Sequence, residues 1–167
     1  LTRSMKSNMG KVFYVIQLDN MDSKEAKIMD LYLAEKIIKS AMEKANDLNI
    51  PSVIAVVDSG GHLKVLKRMD GAIFGSISIA IDKAFTAAAT QVSTQELSSS
   101  SQPGQSLYGL NTTNQCRYVV FGGGIPLWNE NKLIGAIGAS GGTVEQDLMV
   151  AQAGADEFKQ IIKLNNK

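Results

Sequence analysis

Residues 52–69, SVIAVVDSGGHLKVLKRM, decide how this chain folds. Val53 to Val57 is an unbroken apolar run with valines at 53, 56 and 57. Such a run is the pattern of a strand buried on both faces. Ser59-Gly60-Gly61 supplies the backbone freedom for a tight turn. His62 to Met69 then alternates, the pattern of a half-buried strand pairing back on the first. A period of two places Leu63, Val65, Lys67 and Met69 on one side. It places His62, Lys64, Leu66 and Arg68 on the other, so the chain's single histidine shares a face with two cations.

Working outward, helical periodicity flanks this hairpin. Leu31, Ala34, Ile38, Ala41, Ala45 and Leu48 recur in steps of three and four, predicting a helix over 23–48. Asp22 and Glu25 form a capping-box pattern at its start, and Pro51 lies beyond its end. Upstream, Lys11 to Leu18 reads as a short strand or arm. Residues 73–90 read as a helix with an apolar stripe of Ile73, Ile77, Ile81, Phe85 and Ala88. A second face, Ser76, Ala80, Lys83 and Ala87, is small apart from one lysine and suits close approach of another element or another subunit. Ser93 and Glu96 form a second capping box.

Residues 98–115 are polar, and a connection of that length is often a lid, a binding loop or a mobile segment. CRYVVFGGGIPLW, from Cys116, reads as a strand that breaks at three glycines and resumes. NENK is a hairpin turn and LIGAIGAS another buried strand. Thr143 and Gln146 cap a last helix whose core face is Val144, Leu148, Ala151, Ala155, Phe158 and Ile162. The order helix, hairpin, helix, loop, hairpin, helix predicts an α+β fold, an antiparallel sheet with helices packed on it.

The bulk properties narrow the function. The 167 residues fit one domain, with 1–10 read as a polar tail and 11–167 as the domain. Seventeen basic against sixteen acidic side chains argues against a nucleic-acid partner. Cys116 stands alone, which excludes an intrachain disulfide and a cysteine-based zinc site. No apolar run reaches the ~18 residues of a membrane helix, and the expected location is the cytoplasm.

A few residues stand out chemically. Isolated histidines are more often structural than functional, yet a neutral imidazole is a good axial ligand for haem iron, and Lys64 and Arg68 beside His62 would suit an anionic ligand. Lys83 is the more unusual feature, because an ammonium on a small-residue face must find a partner carboxylate or a ligand. Glu145 and Asp147 fall in the first turn of the last helix, where the macrodipole alone explains them; they could also meet Arg68, Lys83 or a metal. Asp70 reads as a turn residue ahead of a helix. GASGG opens a helix, whose first amides could bind an anion, but neither it nor FGGGIP matches a phosphate-binding fingerprint, and tight turns and close packing are the simpler reading of both.

Taken together, IAVVDSGGHLKVLKRMDGA, SISIAIDKAFTAA and GGGIPLWNENKLIGAIGASGGTVEQDLMVAQAGADEF resemble the GlcG/HbpS family, from about residue 25 to about residue 160. The family includes haem-binding and haem-degrading proteins, proteins encoded beside glycolate or diol utilisation genes, and the C-terminal domain of PduO-type corrinoid adenosyltransferases. The resemblance implies a profilin-like domain with an antiparallel five-stranded sheet, assembled as a dimer, tetramer or octamer. It implies a small-ligand-binding protein with haem or another tetrapyrrole as leading ligand. His62 would then be an axial ligand to the iron or a pocket residue, and Lys64, Arg68 and Lys83 would pair with propionates. Two other readings stay open. One is an enzyme acting on a small carboxylate or carbonyl metabolite by general acid-base chemistry, with His62, Asp70, Lys83 or Glu145 as catalytic groups. The other is an accessory oligomer for a diol or hydroxy-acid utilisation system. The adenosyltransferase activity belongs to a different domain of the fusion proteins and does not carry over.

Overall fold

A computed structural model describes residues 28–165. The expected strand at 11–18 and the Asp22–Glu25 capping box lie outside them. The first helix among the described residues, α1 (Leu31–Asp47), starts later than the periodicity suggests, because Asp30 caps it by accepting a hydrogen bond from the Leu33 amide at 2.8 Å. Its buried face is Leu33, Ala34, Ile37, Ile38, Ala41 and Ala45, while Leu31 is exposed.

The decisive hairpin forms as expected. Strand β1 (Val53–Asp58) is buried along nearly its whole length, and β2 (Leu63–Arg68) pairs with it antiparallel. Helix α2 (Ser76–Thr90) and the short α3 (Thr94–Ser100) follow, then two 3-10 turns at Leu110–Thr112 and Asn114–Cys116. Strands β3 (Gly124–Asn129) and β4 (Lys132–Ser140) form the second hairpin, and α4 (Val144–Asn165) ends the described chain. Ser93/Glu96 and Thr143/Gln146 both cap as their spacing predicts. The sheet order is β2-β1-β4-β3, antiparallel throughout.

The fold is α+β, but among the described residues the sheet has four strands where the resemblance implies five. Cys116 to Val120 is not a strand. The segment is held by α2 instead: Thr86 Oγ1 accepts from the Val119 amide at 2.9 Å, and the Arg117 side chain donates to Asp82.

Helices α1 and α4 cover one face of the sheet, over Ile54, Val56, Leu127, Ile134 and Ile137. Helix α2 covers the other, over Val53, Ala55, Val57 and Ala136, with its small residues inward. Ser76, Ala80, Lys83, Ala84 and Ala87 are buried, whereas Ile73 and Phe74 are exposed and Ile77, Ile81 and Phe85 lie half-buried at the rim. The reason is Gly138 of β4: a Cβ there would run into the Ala80 carbonyl and come within 2.6 Å of the Ala84 nitrogen. Glycine on the sheet and alanine on the helix let the two backbones touch. The small face is thus consumed inside the chain and is not free for a second subunit. Among the described residues no helix is long and apolar enough to cross a membrane.

Candidate functional site

Asp58 builds the turn that carries the histidine. Its Oδ1 accepts from the Gly60 amide at 2.9 Å and from the His62 amide at 3.0 Å, and lies 3.3 Å from His62 Nδ1. The Asp58 amide in turn donates to the His62 carbonyl at 2.9 Å. Partial burial works to raise the Asp58 carboxyl, but the His62 and Gly60 amides and the imidazole outweigh it and hold it below the usual aspartate range. The imidazole itself is 83% exposed. A carboxylate only accepts, so Nδ1 is the donor in this contact, and in the neutral ring the lone pair is then on Nε2.

One aromatic ring backs the turn. Gly61 has φ +77, and a Cβ there would come within 2.8 Å of Phe85 Cδ2. Phe85 packs against Tyr118 with ring centroids 6.2 Å apart. The Arg117 guanidinium lies 3.7 Å above the Phe85 ring, and its Nε donates to Asp82 at 3.0 Å. Three segments distant in sequence, the glycine turn, the middle of α2 and residues 117–118, therefore meet beside His62.

The cationic face predicted for β2 does not assemble. Opposite β1, Val56 pairs with Val65 but Val57 pairs with Leu63, so Lys64 is the extra residue of a bulge. The bulge breaks the period of two and brings Leu63 onto the side of Leu66 and Arg68. His62 lies outside the strand, in the turn. Arg68 folds back, its Nε and Nη2 donating to the Ala72 carbonyl at 2.9 and 2.7 Å. Lys64 is exposed. Asp70 is exposed in the turn after β2, at the opposite end of that strand from His62.

Lys83 finds the carboxylate that its position demands. It is fully buried, with Nζ 2.7 Å from Asp147 Oδ2 and 2.9 Å from the Ala139 carbonyl. The Phe121 ring closes the niche, its centroid 4.9 Å from Nζ. Burial pushes the ammonium pKa down, and the Asp147 carboxylate opposes that shift. Asp147 Oδ1 accepts from the Gly141 and Gly142 amides, each at 2.9 Å. The two glycine motifs are explained by this pair: GASGG supplies the amides, and Gly123 leaves the room, since a Cβ there would lie 2.7 Å from Lys83 Nζ. Glu145 is exposed, its carboxyl held low by its own amide and the Thr143 hydroxyl. The four expected acid-base groups are thus dispersed: Lys83 in a niche, His62 and Asp70 in turns at opposite ends of β2, and Glu145 exposed at the start of α4.

Asp58 was legible as an Asp ahead of a Gly-Gly turn, whose side chain bonds its own backbone. Arg117 and Phe85 carry no local signal. A separate cleft of about 420 Å³ runs beside β3, between the start of α3 and α4, lined by Gln91, Glu96, Pro126, Trp128 and Lys159 among others. None of the expected site residues borders it.

Comparison with known proteins decides the family. Residues 29–156 match the HbpS-like family, described as haem degrading protein HbpS-like. The chain belongs to this family. It is 43% identical over 139 residues to an uncharacterised 15.0 kDa protein from the dhaT-dhaS intergenic region of Citrobacter freundii, covering 83% of this chain and 98% of that one. Among solved structures, Klebsiella pneumoniae ORFY is 42% identical with a TM-score of 0.78, over 83% of this chain and 95% of its own. A crystal structure of a PduOC–haem complex is 40% identical with a TM-score of 0.75, over 78% of this chain and 94% of its own.

Among the described residues no group of three or more His, Cys, Asp or Glu side chains gathers to hold a bare metal ion. A lone exposed imidazole suits iron that brings four ligands of its own in a macrocycle. A single imidazole donor is compatible with haem on that ground, and the half-buried Phe85 and Tyr118 lie behind the same turn.

Proposed function

We propose that this HbpS-like protein binds haem, with His62 Nε2 as the axial ligand to iron. The observation that carries the reading is the His62–Asp58 pair. An exposed imidazole has its Nδ1 engaged by a carboxylate that is itself fixed by two backbone amides. Histidines that bind metal usually donate their other ring N–H in this way, which sets the tautomer and makes the free nitrogen a better donor. The 40% identical PduOC, crystallised with haem, supports the same ligand. Haem, when bound, would supply the iron for this imidazole. The residues of this chain hold it: His62 ligates, Asp58 orients His62, and Phe85 and Tyr118 give apolar contact at the edge of the turn.

Titration with ferric protoporphyrin followed by absorbance tests this. Wild type gives a shifted Soret band that saturates at one haem per chain. His62→Ala loses the shift, and Asp58→Asn weakens binding by about tenfold or more. No Soret shift with wild type at micromolar haem overturns the proposal; an unchanged spectrum in His62→Ala overturns the assignment of the ligand.

A further inference from the structure

Of the three cations expected to meet propionates, Lys83 is sealed against Asp147 and Arg68 is spent on the Ala72 carbonyl, while Lys64 is an exposed, unanchored bulge residue. Arg117 was not among them. Its guanidinium is immobilised twice, by the Phe85 ring at 3.7 Å and by Asp82 at Nε. Yet the side chain is 37% exposed, and Nη1 and Nη2 make no hydrogen bond among the described residues. That leaves a planar fork of N–H donors already stripped of water on one face and already fixed in direction, so engaging an anion costs it little rotamer freedom. The same Phe85 ring touches Gly61, next to His62. The ring that carries the fork therefore also backs the glycine turn from which His62 projects.

We infer that Arg117 recognises a carboxylate of the bound ligand, so that the site selects a tetrapyrrole with free acid side chains over its ester; this rests on the haem reading above. Asp82 takes only the Nε position and leaves the terminal nitrogens without a hydrogen bond among the described residues. The fork geometry matches a carboxylate through two parallel bonds, which a lysine cannot reproduce. Tyr118 and Phe85 contribute apolar area to either form of the ligand and do not discriminate.

Ferric protoporphyrin IX and its dimethyl ester are titrated against wild type, Arg117→Met and Arg117→Gln, with melting temperature recorded for each. Wild type binds the free acid at least tenfold more tightly than the ester. Both variants lose about tenfold for the acid, the scale of one charge-assisted pair, and bind the ester as wild type does. His62→Ala loses the Soret shift with both ligands, which separates ligation from carboxylate recognition. If wild type binds neither ligand, the haem reading itself falls. If wild type binds acid and ester equally, or the variants keep the wild-type ratio, haem binding stands and the role of Arg117 is overturned. Should both variants melt far below wild type, Arg117→Lys, which keeps the charge and loses the fork, is held to the same criteria.

Discussion

Lys83 Nζ and Asp147 Oδ2 sit 2.7 Å apart with the lysine wholly buried and the aspartate side chain 7% exposed. The pair joins the middle of α2 to the first turn of α4 across the sheet, through the Ala139 carbonyl of β4. A buried ion pair of this kind is weak support for net stability, because desolvation offsets the attraction. What it supplies here is a fixed register. Helix α2 has an almost featureless inner face of alanines, and the lysine gives that face one place to bind.

Removing one partner is therefore costly, and unequally so. Asp147→Ala leaves an ammonium in a dry niche with only a carbonyl and a ring beside it, and is expected to lose about 3–5 kcal/mol. Lys83→Met leaves a carboxylate that still accepts from the Gly141 and Gly142 amides, so its loss is smaller, about 1–3 kcal/mol. Urea denaturation of the two variants checks the order, and the reverse ranking would show that the amides do not hold Asp147 up.

The glycine-to-alanine contact between β4 and α2 makes a second, opposite pair of outcomes. Gly138→Ala pushes a methyl into helix backbone that has no rotamer to yield, and is expected to lose at least about 3 kcal/mol. Gly75 precedes α2 with ordinary helical angles and open space around its Cβ. Gly75→Ala is expected to be neutral or stabilising by about 0.5 kcal/mol through the unfolded chain. Thermal unfolding of the two side by side measures both.

Those same residues show what was legible beforehand. The β1-turn-β2 hairpin followed from Val53–Val57 and Ser59–Gly61, where the signal is local: period two, then free backbone. Lys83 was legible as a charge in need of a partner, but the choice between Glu145 and Asp147 was not. Both stand in one helical turn, and only the path of α4 over the sheet selects Asp147. The orientation of α2 was ambiguous because its large stripe looks like a core face. What turns the alanines inward is Gly138, more than fifty residues away, and such complementarity leaves no periodic trace in either segment. The bulge at Lys64 likewise arises from pairing with β1, so counting by twos from His62 could not find it.

Local composition misleads at residues 118–120 for a related reason: Tyr118-Val119-Val120 is rich in strand formers, yet the segment follows α2. Thr86 Oγ1 accepts from the Val119 amide at 2.9 Å and is itself buried. Thr86→Val keeps the shape and leaves that amide without its acceptor. A loss of about 1–3 kcal/mol is expected, with faster hydrogen exchange at Val119 than at the amides of β1. Unchanged exchange would mean that the segment is held by Arg117 and Tyr118 alone.

The His62 turn has its own acid limit, set by Asp58. Burial works to raise its carboxyl, but the His62 and Gly60 amides and the imidazole favour the charged form more strongly, so in the folded protein it titrates below the ordinary value of 3.8. The unfolded chain therefore takes up the proton first as pH falls. The stability Asp58 contributes is complete above 3.8 and is lost as the pH drops through the lower, folded value. Asp58→Asn removes that component. Its stability should fall less steeply with acid over this range than that of wild type, while being lower at neutral pH. Parallel acid-unfolding curves for the two proteins would mean that the carboxylate does not hold the turn, and with it the imidazole that this turn presents.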